Sequence, residues 1–186
     1  MMLLKAPLIT VLLHSVGRVK LREHLTAEMA VESLDFWEAV HDLKINTDGD
    51  PYSVQMEAIG AVGEHLKSNA LAVGSAEMRN RVRYLYDEYI VGDRQVNISA
   101  KAKKQVLQGL QAAEQNTEGA QLDGHIFDRA QSDVQKLMER DGFVRFKKSS
   151  LFVDFMKELG IAPAANRKGS ITPAAPVAVP QLTSGP

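Results

Sequence analysis

The sequence has no cysteine and, over most of its length, almost no proline. Without cysteine there is no disulfide, no thiolate nucleophile, no Cys-ligated zinc and no palmitoylated anchor. Net charge is nearly absent as well. The 22 Lys+Arg against 23 Asp+Glu leave −1, so no broad basic field is available for nucleic acid or an anionic membrane. Long apolar runs are missing: Pro7 to Leu13, in MMLLKAPLITVLLHS, falls far short of the ~20 residues a membrane span needs. The small-residue cleavage pattern of a secretory signal is not there either, and a helix packed on the domain accounts better for this stretch. No GxxxxGK[ST] phosphate loop, HExxH, GxSxG or dinucleotide glycine fingerprint occurs. The five histidines (His14, His24, His41, His65, His125) are scattered. No metal, cofactor or catalytic group is expected.

Proline is scarce only in the body. Five of the seven (Pro163, Pro173, Pro176, Pro180, Pro186) follow Ile161, and between Leu8 and Ile161 the sole proline is Pro51. A proline inside a helix costs about 3 kcal/mol, so the split predicts a helical domain followed by a tail. The tail, 161–186, is Pro/Ala-rich with no aromatic and no acid. It buries too little apolar area to offset the entropy of ordering and is expected to be disordered. The 186 residues suffice for one domain with a real core, hardly for two.

What fills the body is helical periodicity. Leu21, Leu25 and Met29 continue a stripe from Leu12–Leu13, and Leu34, Trp37 and Val40 recur at helical spacing with Phe36 and Leu43 widening the buried face. After DGDPY a thin stripe, Met56, Ile59, Val62 and Leu66, is weakened by Gly60 and Gly63. Met78, Val82, Leu85, Tyr86, Tyr89 and Ile90 form the best-patterned helix, ending near Gly92. Ser99 is placed to cap a helix through Ala102, Val106 and Leu110. Phe127, Ala130, Val134, Leu137 and Met138 then share one side of a helix that Asp141-Gly142 interrupts. Ser149 or Ser150 caps a last helix through Leu151, Phe152, Phe155 and Leu159, closed by Gly160. No stretch alternates with period two, so the fold class is all-α.

Three strings, in order, carry a resemblance: LREHLTAEMAVESLDFWEAV, YDEYIVGDRQVNIS and FDRAQSDVQKLMERDGFVRFKKSSLF. Together they resemble the regulator of G-protein signalling (RGS) domain. In that family a Glu-Asn-x-x-Phe-Trp element, a Val-Asn-Ile/Leu loop and an FDxAQxxVxxLMExDxxxRF segment follow one another. The resemblance implies a compact bundle of about nine short helices over 12–160, with 1–11 a lead-in helix or extension and 46–76 an insertion. The loop from Glu114 to Gly124 is also longer than the family usually has. It further implies a monomeric, cytoplasmic GTPase activator without a catalytic group of its own. Its partner is a GTP-bound or transition-state Gα subunit, which also recruits it to the membrane.

Carried over residue by residue, the resemblance implies a Gα interface of Glu32, Ser33, Asn97, Asp141, Arg145, Leu137 and Met29. Glu32 and Ser33 stand at the family's Glu-Asn pair facing the switch segments, and Asn97 at the loop asparagine that orients the Gα catalytic glutamine. Asp141 matches the acid that receives a switch threonine, and Arg145 the arginine bracing that acid. Leu137 and Met29 match apolar rim positions, although apolar helical positions are more often core. Two departures stand out: Ser33 replaces an amide with a hydroxyl, and Ala30 replaces a frequent capping Ser, a loss of ~1 kcal/mol. These departures, with the insertions, motivate an alternative, a scaffold of the same fold that binds signalling partners without accelerating hydrolysis.

Overall fold

The computed structural model describes residues 7–48, 75–115 and 122–161. The stripe through Met56, Ile59, Val62 and Leu66, and the tail beyond Ile161, lie outside these. In chain order the described elements are α1 (Leu8–Leu13), α2 (Ser15–Ala27), α3 (Glu32–Asp48) and α4 (Ala76–Tyr86). The last runs on into a π-helical turn (Asp87–Val91). Then come α5 (Ala100–Glu114), a 3₁₀ turn (Gly124–Phe127), α6 (Asp128–Arg140), α7 (Gly142–Phe146) and α8 (Ser150–Glu158). No strand occurs among the described residues. The fold is all-α, as the periodicity requires.

Helix ends follow their local chemistry. Ser75, Ser99 and Ser149 each accept a hydrogen bond from a backbone N–H three residues on, at 3.1, 3.2 and 3.3 Å, and so begin α4, α5 and α8. At the end of α8, Gly160 takes the left-handed conformation (φ 69°). The Ile161 and Gly160 N–H groups turn back to the Met156 and Lys157 carbonyls, a Schellman closure.

Helix α3 is the centre of the bundle. Leu34, Phe36, Trp37, Val40 and Leu43 are all buried, each such side chain contributing roughly 1.5–3 kcal/mol. The Phe36 ring packs against Tyr89 at the π turn (5.6 Å) and edge-on against Phe127 before α6 (6.0 Å). Trp37, buried in the core, donates from Nε1 to Gln135 at 3.3 Å. Its carbonyl accepts from buried Gln131 at 3.0 Å, so α3 and α6 are joined by polar contacts as well as apolar ones. The other half of the core is aromatic: Phe146, Phe152 and Phe155 from α7 and α8 pack with Val11, Leu12 and Leu21 from α1 and α2. Charge holds α2 to α3: Arg22 donates to both Asp35 and Glu38, and Arg94, just past the π turn, donates to the other oxygen of Asp35. Asp35 thereby links α2, α3 and the loop that leads to Asn97.

Candidate functional site

The end of α2 sets one edge of the site. The Ala30 N–H bonds to the Leu25 carbonyl (2.9 Å) and the Met29 N–H to the Thr26 carbonyl (3.1 Å). This is the same Schellman closure that ends α8, yet the residue at the left-handed position is Met29, with φ 52°, not glycine. A side chain with a Cβ loses roughly 1–2 kcal/mol there. The Met29 side chain is 90% exposed. Neither the left-handed backbone nor the exposed apolar side chain adds stability. Met29→Gly is expected to raise stability by about 1 kcal/mol, read from urea denaturation. Loss of the side chain is expected to weaken partner binding.

Across from Met29, the break between α6 and α7 carries the second part. Gly142 is buried against the end of α2, and a Cβ there would come within 2.7 Å of Leu25 Cδ2, so a larger residue requires the Leu25 side chain to shift. At this corner Arg145 meets Glu28. Nε and Nη2 of Arg145 donate to the two carboxylate oxygens of Glu28 at 2.7 and 2.9 Å, while Nη1 and Nη2 donate to Asp141, the latter at 3.2 Å. One guanidinium thus holds two carboxylates, each through two N–H···O bonds, with Nη2 shared between them. The Arg145 contact, with smaller help from His24, holds the Glu28 carboxyl below the usual carboxylate range. The two acids, Glu28 first, raise the Arg145 guanidinium. Behind them His24 packs on Phe146 (5.6 Å), with Nε2 3.4 Å from Glu28. Asp141 remains the most open member, its side chain 64% exposed.

The third part is the segment 95–99. Its alternation is sharp: Val96 and Ile98 are buried, 1% and 8% exposed, and Asn97 between them is exposed. The Val96 N–H bonds to the Tyr89 carbonyl (2.9 Å) and the Gln95 side chain to the Ile90 carbonyl (2.6 Å), both within the π turn. Arg94 donates to the Tyr89 hydroxyl (3.1 Å) while its guanidinium lies 5.1 Å from that ring. π turns are costly and collect at functional sites; here the turn supplies the carbonyls that pin the loop. The Asn97 side-chain amide makes no hydrogen bond among the described residues, so it is not spent on its own turn. A groove of about 290 Å³ separates this loop from α6, lined by Asn97, Ile98 and Ser99 on one side and Asp133, Lys136, Leu137 and Arg140 on the other. Leu137 is therefore a half-buried groove wall and not a core residue.

Glu32 and Ser33 open α3 just beyond Met29. Glu32 is half-buried and Ser33 is buried at 8%, its hydroxyl recessed in the first turn. Val31 precedes them and offers no capping group. Among the described residues no cluster of three or more His, Cys, Asp or Glu is placed to hold a metal ion.

A family model for the Regulator of G protein signaling domain matches residues 8–155, from the first residue of α1 into α8. The chain belongs to the RGS domain family. It is 26% identical over 159 residues to human Regulator of G-protein signaling 18, covering 84% of this chain and 53% of that protein. It is 24% identical over 145 residues to Regulator of G-protein signaling 20 of Bos taurus, covering 77% of this chain and 29% of that protein. With Regulator of G-protein signaling rgs-2 of Caenorhabditis elegans it shares 21% over 154 residues, covering 82% and 70%. The chain spans about half or less of the length of the human and bovine relatives.

In this RGS domain the sequence-derived residues fall into linked groups. Asn97 and Leu137 face one groove, Arg140 in its lining precedes Asp141 in the chain, and Asp141 is held by Arg145. Met29 neighbours Glu28 at the end of α2, and Glu32 and Ser33 follow along the chain. The residue that sequence reasoning missed is Glu28, the second carboxylate on Arg145. It lies 117 residues away in sequence, and the only local signal was an acid at a helix C-cap, where the helix dipole disfavours one.

Proposed function

We propose that this RGS domain binds the switch surface of an activated Gα subunit and accelerates its GTP hydrolysis, ending the signal. The observation that carries the reading is an exposed Asn97 on a pinned loop, its amide without a hydrogen bond among the described residues, together with an Asp141 braced by Arg145. A Gα subunit has its own arginine and water-orienting glutamine, so its chemistry is limited by how well the switch loops hold the transition-state arrangement. A partner that binds that arrangement better than the ground state lowers the barrier without supplying a nucleophile, base or metal. Such a partner needs short polar groups on rigid supports, and this rim offers them. No helix among the described residues is long and apolar enough to cross a membrane. The protein acts from the cytoplasm as a monomer and meets the membrane through Gα.

The deciding experiment is single-turnover GTP hydrolysis by a Gα panel with and without the protein; no acceleration with any Gα sinks the proposal. A scaffold role is favoured by one feature, the buried Ser33 where the family motif has a longer amide. It would show as pull-down that ignores whether Gα holds GDP or GDP–aluminium fluoride. Under the activating role, Ser33→Asn restores an amide at the start of α3. A regained hydrogen bond of about 1 kcal/mol is expected to tighten Gα binding about fivefold, measured by titration against the aluminium fluoride form. Weaker binding by that variant would place Ser33 elsewhere than in the interface.

A further inference from the structure

The Asn97 loop has an anchor on α6 that the motif resemblance does not assign. Asp133 Oδ2 accepts from Ser99 twice, from the backbone N–H at 3.1 Å and from the hydroxyl at 2.6 Å. The same hydroxyl accepts from the Ala102 N–H at 3.2 Å. Ser99 Oγ therefore donates to α6 and accepts from α5, so its orientation is fixed from both sides. The Ser99 hydroxyl bond, more than any other influence, holds the Asp133 carboxyl below the usual range.

Geometry separates this latch from the fold. Helix α5 needs Ser99 only as an acceptor for the Ala102 N–H, and removing the Asp133 carboxylate leaves that cap in place. The Ser99 N–H and Oγ lie at the exposed surface, where water replaces the lost acceptor. The latch does control the groove, because it is the direct polar bridge between Ser99 on one wall and Asp133 on the other. Val96 and Ile98 fix the loop against the core, but neither bonds it to α6. The Asn97 side chain makes no hydrogen bond among the described residues.

We propose that Asp133 is a positioning residue for Gα activation, setting the Asn97 amide against the Leu137 wall of α6 by holding Ser99. This rests on the GTPase-activating reading above. A displacement on the order of 1 Å at an orienting group can cost up to about 100-fold in rate. Loosening one of several loop anchors is expected to cost about 10-fold.

The test is single-turnover hydrolysis by a responsive Gα at saturating wild type, Asp133→Ala and Asp133→Asn, with thermal unfolding in parallel. Asp133→Ala is expected to lower the maximal rate about 10-fold while the half-saturating concentration moves less than about threefold, because Asn97 orients and contributes little ground-state affinity. Asp133→Asn keeps an acceptor oxygen and is expected to recover most of the rate. Asn97→Ala combined with Asp133→Ala is expected to be no slower than Asn97→Ala alone, since Asp133 acts through Asn97. A full wild-type rate for Asp133→Ala, or a double variant slower than Asn97→Ala, overturns the proposal. Amide hydrogen exchange at Ser99, read without Gα, is expected to rise in Asp133→Ala and not in Asp133→Asn; unchanged exchange refutes the latch. Wild type failing on every Gα sinks the activating reading itself, and with it the role given to Asp133, whatever the exchange shows.

Discussion

Replacing Asn97 by alanine is expected to remove most of the acceleration of Gα GTP hydrolysis, lowering the maximal single-turnover rate by about 100-fold. Helical circular dichroism and Tm are expected to stay where they are. The two halves of that statement rest on different observations. Stability is spared because the side chain is exposed and bonds to nothing among the described residues; exposed positions of this kind usually shift stability by less than about 0.5 kcal/mol. The loop keeps its shape through Val96, Ile98, Gln95 and Ser99, none of which is altered. Activity is lost because an amide has both a donor and an acceptor and can hold a partner amide in one orientation, while a methyl has neither. Unequal losses are the diagnostic: the maximal rate falls far more than the affinity for the aluminium fluoride form. Equal losses in both would make Asn97 a uniform binding contact and not an orienting one. A control is available in Val96→Ala, which removes buried apolar volume and is expected to lower Tm.

Much of this was legible in the sequence, and the boundary between legible and hidden is physical. Helical stripes such as Leu34, Trp37 and Val40 announce a buried face because a helix repeats every 3.6 residues. Ser99 and Ser149 announce helix starts, and Gly160 a helix end, because capping is decided within three or four residues. Asn97, Asp141 and Arg145 came from ordered motifs, and the structure adds that the Asn97 amide bonds to none of the described residues and that Arg145 reaches Asp141. Non-local facts were not readable. Glu28 meets Arg145 where the α6–α7 corner packs on the end of α2, with Gly142 against Leu25. Asp133 meets Ser99 only because α6 passes beside the start of α5. Met29 was named as a rim position by the resemblance, but its backbone was hidden. Its place in the apolar stripe of α2 suggested core, and nothing in a methionine signals a left-handed cap that glycine normally fills. Leu137 was ambiguous because it borders the buried stripe of Val134 and Met138, and a rim position differs from a core one by a fraction of a turn.

Arg145→Ala is expected to weaken binding to the GDP–aluminium fluoride form about 30-fold, or about 2 kcal/mol. The arithmetic follows from what one guanidinium holds. Removing it leaves Glu28 and Asp141 as neighbouring carboxylates without their shared counter-charge, and docking would then bury an uncompensated acid. In the free protein the cost is small, because Arg145 and Asp141 are open to water, where ion pairs contribute little. Arg145→Lys is not expected to rescue. A single ammonium cannot give two parallel bonds to Glu28 while also bonding Asp141. Glu28→Gln separates the two acids: it keeps an acceptor for Arg145 but removes a charge, and a loss smaller than that of Arg145→Ala is expected. The pH dependence has a fixed sign. Arg145 lowers the Glu28 carboxyl, so its pairing is complete above the ordinary carboxylate pKa and is lost as pH falls through the lowered value. Binding should therefore be flat in pH near neutrality as far as this brace is concerned, and any weakening it causes belongs to the acid side. If Arg145→Ala bound the aluminium fluoride form as tightly as wild type, Asp141 would not depend on its brace, and the rim would have to be assigned to Met29 and Asn97 without it.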